Sequence, residues 1–435
     1  MTAGEGAFSP TGQPVAPGDA PSRLAGAERG RWWPRDVALL TVGMILAGAL
    51  RLALLPTQGS PDLDQFVGWA HAFALGHPLG EAYRLDLSFP PVLTYLIWAL
   101  GNLVPAFETA IDGSDVGARI ALKLPASVAD IFLALGVAYL LRDQPRRAIA
   151  AALLVAFIPV TWYVSAWWGQ FESIYVLLGL VAVILVLADR PMLAAIALGL
   201  ALMTKPQALV FLVPFAAYAL GRYGWRRGAA IGAVTTATVV IAWLPFLADG
   251  GPGRYADNLA YYQDGMFAVL SLRAWNVWWA IQEVLAGGFF LADNTQWFGP
   301  ITPRLLGYAM TGLAMLATFL LVLRRPTRTG LLLGLTASVL VAFSLLTSMH
   351  ERYSYGGVVF LLPIALAATG CQRAAWCALA TATTLNLLVA TPPSGLSGTL
   401  VPLGGTVGIA GSIVMLGIAV SVIGWLRRAA PPDRR

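Results

Sequence analysis

A chain of 435 residues that is 58% hydrophobic and only 11% charged is too apolar for a water-soluble domain and reads as a polytopic membrane protein. Its net charge of +6 comes from short arginine clusters between apolar segments, a pattern of membrane topology and not of a nucleic-acid surface. Cys371 and Cys377 sit in no metal or redox motif, so no disulfide is expected.

Residues 1–35, rich in Gly, Pro, Ala and Ser and without the apolar run of a signal peptide, predict a disordered cytoplasmic tail. Residues 36–430 predict a single all-α transmembrane domain. A span needs about 20 apolar residues, which marks 36–55, 119–141, 148–166, 173–189, 207–221, 229–247, 304–323, 329–347, 374–390 and 404–426. Two shorter runs, 192–203 and 356–369, bring the expectation to about 12 helices once arginines are kept on the cytoplasmic side.

That rule sets both termini inside. Arg23, Arg29, Arg31 and Arg35 precede the first span, and Arg142, Arg146 and Arg147 follow the second. Residues 56–118 are then one long external loop. Within it the run 90–105, which opens with Pro90-Pro91, is too short to cross and predicts an interfacial helix. A second external loop covers 248–303.

The first loop opens with Ser60-Pro61-Asp62-Leu63-Asp64. Ser60 suits a helix N-cap and Pro61 the first helical position, which makes Leu63, Phe66, Val67, Ala70, Phe73 and Ala74 one apolar stripe of a helix on the membrane surface. Asp62 falls in the first turn, where the helix dipole favours a carboxylate and a base can be kept charged. Asp62 and Asp64 could also be no more than helix-start decoration. Two residues apart on a helix, they point about 200° from each other. Asp62 is the expected base, and Asp64, on the polar face, is expected to meet an acceptor.

Every other polar cluster falls on the same external side. Trp167-Trp168-Gly169-Gln170-Phe171-Glu172 joins two spans; its tryptophans fit an interfacial belt, and Gln170 and Glu172 suit sugar hydroxyls at an exposed turn. Lys205 and Gln207 lie between a short span and the next. A lysine there either meets an anion such as phosphate or snorkels to the headgroups. His350, Glu351 and Arg352 form the densest charged group, with an arginine fork and a histidine donor that suit phosphate. Asp130, inside a span, predicts a bond to a neighbouring helix, and Arg51 predicts snorkelling. The aromatics Tyr261, Tyr262, Trp275, Trp278 and Trp279 would serve equally as sugar platforms or interfacial anchors.

Taken in order, these motifs resemble the GT-C glycosyltransferases. They are similar in particular to the glucosyltransferases that extend the lipid-linked N-glycan precursor and to bacterial relatives of the second GPI-anchor mannosyltransferase. Asp62-x-Asp64 resembles the family's first-loop acids, Phe89-Pro90-Pro91 its aromatic-Pro-Pro, and Ala129-Asp130 its Ala-Asp pair. Lys205-Pro206-Gln207 resembles its Lys-x-Gln, Trp243-Leu244-Pro245-Phe246 its Trp-Leu-Pro-Phe, and His350-Glu351-Arg352-Tyr353 its late His-Glu-basic motif. Glu172 stands where bacterial relatives often carry Asp, so the resemblance does not name the sugar.

The resemblance implies a hexose, mannose or glucose, moved with inversion from a polyprenyl-phosphate donor to a lipid-linked or cell-envelope acceptor. The enzyme would sit in a bacterial plasma membrane with its active site external. Asp62 would be the catalytic base, with Asp64, Gln170, Glu172, Lys205, Gln207, His350 and Arg352 binding substrate. No cofactor is expected, and although Asp62 and Asp64 are spaced to ligate a divalent metal, none is expected. The alternative is a transporter or lipid flippase, which would place ionisable groups along a central path.

Overall fold

The computed structural model describes residues 30–368, 370–393 and 405–429; the tail expected over residues 1–35 lies almost wholly outside them. Sixteen α-helices and several tight helical turns make up the described chain, which contains isolated β-bridges and no strand. In order they are α1 (Pro34–Leu54), α2 (Asp62–Ala74), α3 (Pro91–Leu103), α4 (Val116–Leu140), α5 (Pro145–Phe157), α6 (Pro159–Trp162), α7 (Glu172–Leu187) and α8 (Pro191–Leu202). There follow α9 (Leu212–Trp243), α10 (Gly251–Asp264), α11 (Val277–Ala286), α12 (Pro303–Arg324), α13 (Arg328–Leu345), α14 (Tyr355–Ala367), α15 (Cys371–Ala390) and α16 (Gly405–Arg428).

Local chemistry sets the starts. Prolines occupy the first turn of α1, α3, α5, α8 and α12, where a missing N–H costs nothing. Side chains of Asp115, Asn276, Thr302 and Thr327 accept the free N–H groups of α4, α11, α12 and α13, satisfying donors that the helix leaves over.

Helices stand at all the positions expected to span. Among the described residues, seven segments are long and apolar enough to cross a membrane, or eight if the bent pair 145–157 and 159–168 is one span. The fold is therefore that of an all-α polytopic membrane protein. One of the seven, 206–249, holds two of the expected spans: Gly224 (φ 75°, ψ 173°) breaks α9 in a backbone region that glycine reaches without strain. The chain reverses there. Met203 and Ala242, before and after the two arms, both bond to α3, through Val92 N–H (2.7 Å) and Tyr95 OH (2.8 Å). By contrast α8, with 12 residues, covers only about 18 Å of a hydrocarbon layer of about 30 Å.

Two main apolar cores result, with a small third cluster of Trp275, Trp279 and Val389. The larger joins α4 to α8, α13, α14 and α15. The smaller joins α2, α3 and the start of α4 with Phe171 and Phe246. The stripe Leu63, Phe66, Val67, Ala70 and Phe73 is buried in this second core, so α2 turns its apolar face onto protein: Phe66 lies 5.3 Å from Phe89 and 5.4 Å from Phe171, ring centre to ring centre. That docking fixes the position of Asp62 at the helix start.

The tryptophans left open by the sequence belong to the core. Trp275, Trp278 and Trp279 are all buried; Trp278 donates to Leu345 O (2.7 Å), and Trp275 and Trp279 pack on Gly408 and Gly411 of α16. Two arginine-bearing turns also meet each other, Arg328 bonding to Leu140 O next to the 142–147 turn.

Candidate functional site

Ser60 Oγ accepts the Asp62 N–H (3.2 Å), and α2 starts one residue later than the sequence predicts, at Asp62 with Pro61 in the cap position. The Asp62 carboxylate then meets the turn that follows the π-helical stretch Tyr163–Trp168. Its Oδ2 accepts from Gln170 Nε2 (2.5 Å) and Trp168 Nε1 (3.2 Å). Gly169 makes this approach possible: it takes φ +94°, a left-handed conformation in which any other residue would be strained, and a Cβ there would push the Leu63 side chain aside. Oδ1 makes no hydrogen bond among the described residues, and the side chain is 41% exposed. One oxygen is held and the other is open.

Behind Asp62 lies a buried charged network. Lys205 Nζ is 2.7 Å from Glu172 Oε1 and 3.2 Å from Gln170 Oε1. Arg352 places Nε 3.3 Å from Glu172 Oε1, Nη1 2.9 Å from Glu351 Oε1 and Nη2 4.0 Å from Asp62 Oδ2, with its guanidinium over the Trp168 ring. Burial opposes the Arg352 charge, but the Glu351, Asp62 and Glu172 carboxylates outweigh it and hold its pKa above the ordinary value. His350 Nδ1 lies 3.3 Å from Arg352 Nη1. Burial, and then the charges of Arg352 and Lys205, push the His350 pKa well below 6.5, so the imidazole is neutral at pH 7.

The open side is a cavity of about 270 Å³ whose walls include Asp62, Trp168, Arg273, His350, Glu351 and Arg352. Only some of the expected site residues reach it. Gln170 and Glu172 are 2% and 0% exposed and point into the network, not into an exposed turn, because the N-terminus of α7 is enclosed between the two cores. Lys205, 3% exposed, finds its anion in Glu172 and does not snorkel. Gln207 stands apart: a 3-10 turn starts after Lys205 and carries it to a separate cavity of about 240 Å³ with Tyr175, Met349 and Tyr353. Trp168 is buried on Asp62 and is no belt residue. Arg51 is also no snorkel; it is 2% exposed and pairs with Asp130 at 3.0 Å.

Asp64 is turned away from the cavity and accepts the Gly113 N–H at 2.9 Å, tying down the far end of the first loop. Asp64→Ala is accordingly expected to cost about 1 kcal/mol of stability with turnover within about threefold of the parent. Melting and initial-rate measurements check this, and a turnover loss as large as that of an Asp62 variant would contradict it.

Arg273 was overlooked in the sequence. It lines the cavity at φ +62° and donates to Ala390 O (2.8 Å). Nothing in its neighbours in the chain marks it, since the residues it meets, His350 and Ala390, lie far along the sequence. Among the described residues no three His, Cys, Asp or Glu side chains come together as a metal site.

The fold and site together define a polytopic helical membrane protein with a half-exposed carboxylate beside cationic side chains. The family model for glycosyltransferase family 87 matches residues 87–349, more than half of the chain, and the protein belongs to that family, which is of the GT-C type. No curated protein matches it. The matched span contains Gln170, Glu172, Lys205 and Gln207; Asp62 precedes it, and His350 and Arg352 follow its end directly. Membership in a glycosyltransferase family sets aside the transporter and flippase alternative.

Proposed function

We propose that the protein transfers a hexose, mannose or glucose, from a polyprenyl-phosphate donor to a lipid-linked or cell-envelope acceptor, with inversion, at the external face of a bacterial plasma membrane. The observation that carries the reading is the Asp62 carboxylate, with Oδ2 fixed by two donors and Oδ1 without a hydrogen bond among the described residues, in the wall of a cavity shared with His350 and Arg352. Asp62 takes the proton of the acceptor hydroxyl as its oxygen attacks the anomeric carbon. The bond from that carbon to the phosphate oxygen breaks, and polyprenyl phosphate leaves with the electron pair. Arg352, neutral His350 and Arg273 face the developing charge as hydrogen-bond donors.

Gln170, Glu172 and Lys205 hold this arrangement from behind: Gln170 joins Asp62 to Lys205, and Glu172 joins Lys205 to Arg352. The external assignment rests on the arginine distribution. Lipid-carried sugar needs no nucleotide site, and the chemistry proposed uses this chain's own side chains.

A panel of polyprenyl-phosphate mannose, glucose and arabinose, each given to purified protein with total lipid extract, tests the donor class. One hexose donor is expected to yield free polyprenyl phosphate in step with a glycosylated lipid product. Transfer from nucleotide sugars alone would contradict the proposal.

A further inference from the structure

Asp130 on α4 is fully buried, and every described contact of its carboxylate is a donor. Oδ2 accepts from Arg51 Nε (3.0 Å) and from Ser165 Oγ; Oδ1 accepts from Tyr355 OH (2.9 Å). Arg51 in turn donates to Ala47 O (3.1 Å), Ala156 O (3.0 Å) and Thr161 Oγ1 (3.3 Å). One buried ion pair thus ties α1, α4, the α5–α6 segment and α14 together. A buried pair is a weak source of stability compared with apolar packing, and its best-attested use is to fix register.

The two hydroxyls that reach Asp130 belong to the two site-bearing turns. Ser165 sits in the π-helical stretch, and π-helical turns recur at functional sites; the next residues with polar contacts, Trp168 and Gln170, are the donors that hold Asp62. Tyr355 begins α14, three residues after Arg352. We propose that Asp130 is a positioning residue, which sets the Trp168–Gln170 turn through Ser165 and the Glu351–Arg352 turn through Tyr355, and so aligns Asp62 with the phosphate-binding side of the cavity. This rests on the reading of Asp62 as the base and of Arg352 as a phosphate contact.

Ser165→Ala and Tyr355→Phe each delete a single oxygen and leave the Arg51–Asp130 pair in place. Ser165→Ala is expected to lower kcat about tenfold with donor KM unchanged, and to cost nothing further when added to Gln170→Ala. Tyr355→Phe is expected to weaken binding of polyprenyl phosphate about tenfold in the parent and not at all in an Arg352→Ala background. Both should melt within a few degrees of the parent. Wild-type kcat and polyprenyl-phosphate affinity in both variants, with Asp62→Asn inactive, would overturn the role of Asp130 alone, as would losses that simply multiply with those of Gln170→Ala and Arg352→Ala. Retained turnover in Asp62→Asn would overturn the base assignment and this inference with it.

Discussion

Asp62→Asn is expected to lower turnover by about a hundredfold or more while donor binding stays near the parent value. Asparagine keeps the size of the side chain and an oxygen that can accept from Gln170 and Trp168, the two donors on Oδ2. It removes the negative charge, one of three that balance Arg352, and with it the ability to take a proton at the open oxygen. The side chain is 41% exposed, so the change leaves no buried group without a partner and the fold should be unaffected. A loss that appears in kcat and kcat/KM alike, with donor Kd unchanged, is the signature of an interaction made in the transition state. Activity within tenfold of the parent would mean that another group accepts the proton.

Arg352→Ala is expected to act on both binding and stability. Arg352 is 8% exposed and pairs with Glu351 and Glu172; removing it leaves Glu351 uncompensated and Glu172 with Lys205 alone, a type of change that costs about 3–5 kcal/mol. The same carboxylates would then repel a donor phosphate, so donor affinity should fall by about tenfold to a hundredfold, the range for a lost charged hydrogen bond. Arg352→Lys should recover stability better than affinity, because an ammonium neutralises charge but has no planar fork with which to serve Glu351 and a phosphate together. Titration of polyprenyl phosphate into the two variants, alongside melting curves, checks both parts. Unchanged affinity in Arg352→Ala would shift the phosphate to Arg273.

Much of the architecture is legible in the sequence because membrane spans announce themselves by apolar length. The helix that follows Ser60-Pro61 and the one that opens at Pro91 follow from local signals, and the structure groups Asp62, Gln170, Lys205 and Arg352 as the sequence expects. What the sequence hides is how polar groups satisfy one another once dehydrated. Lys205 was expected to find a phosphate or the headgroups and finds Glu172, 33 residues earlier. Arg51 was expected at the surface and lies across from Asp130, 79 residues on.

Gln207 shows the same limit in reverse. It is two residues from Lys205, yet a tight turn sends it to another cavity, where its Oε1 is buried without a partner. The tryptophans of the second loop were undecided because an indole suits an interface, a sugar or a core equally well. The approach of α15 and α16, more than a hundred residues away, makes Trp275 a core residue.

The central claim is a single displacement in which Asp62 activates the acceptor and no enzyme side chain bonds to the sugar. The anomeric configuration of the product, read by NMR from its one-bond carbon–hydrogen coupling and compared with that of the donor, tests it most directly. Inversion is predicted. Retention of the donor configuration would require a second displacement at the anomeric carbon and would contradict the account.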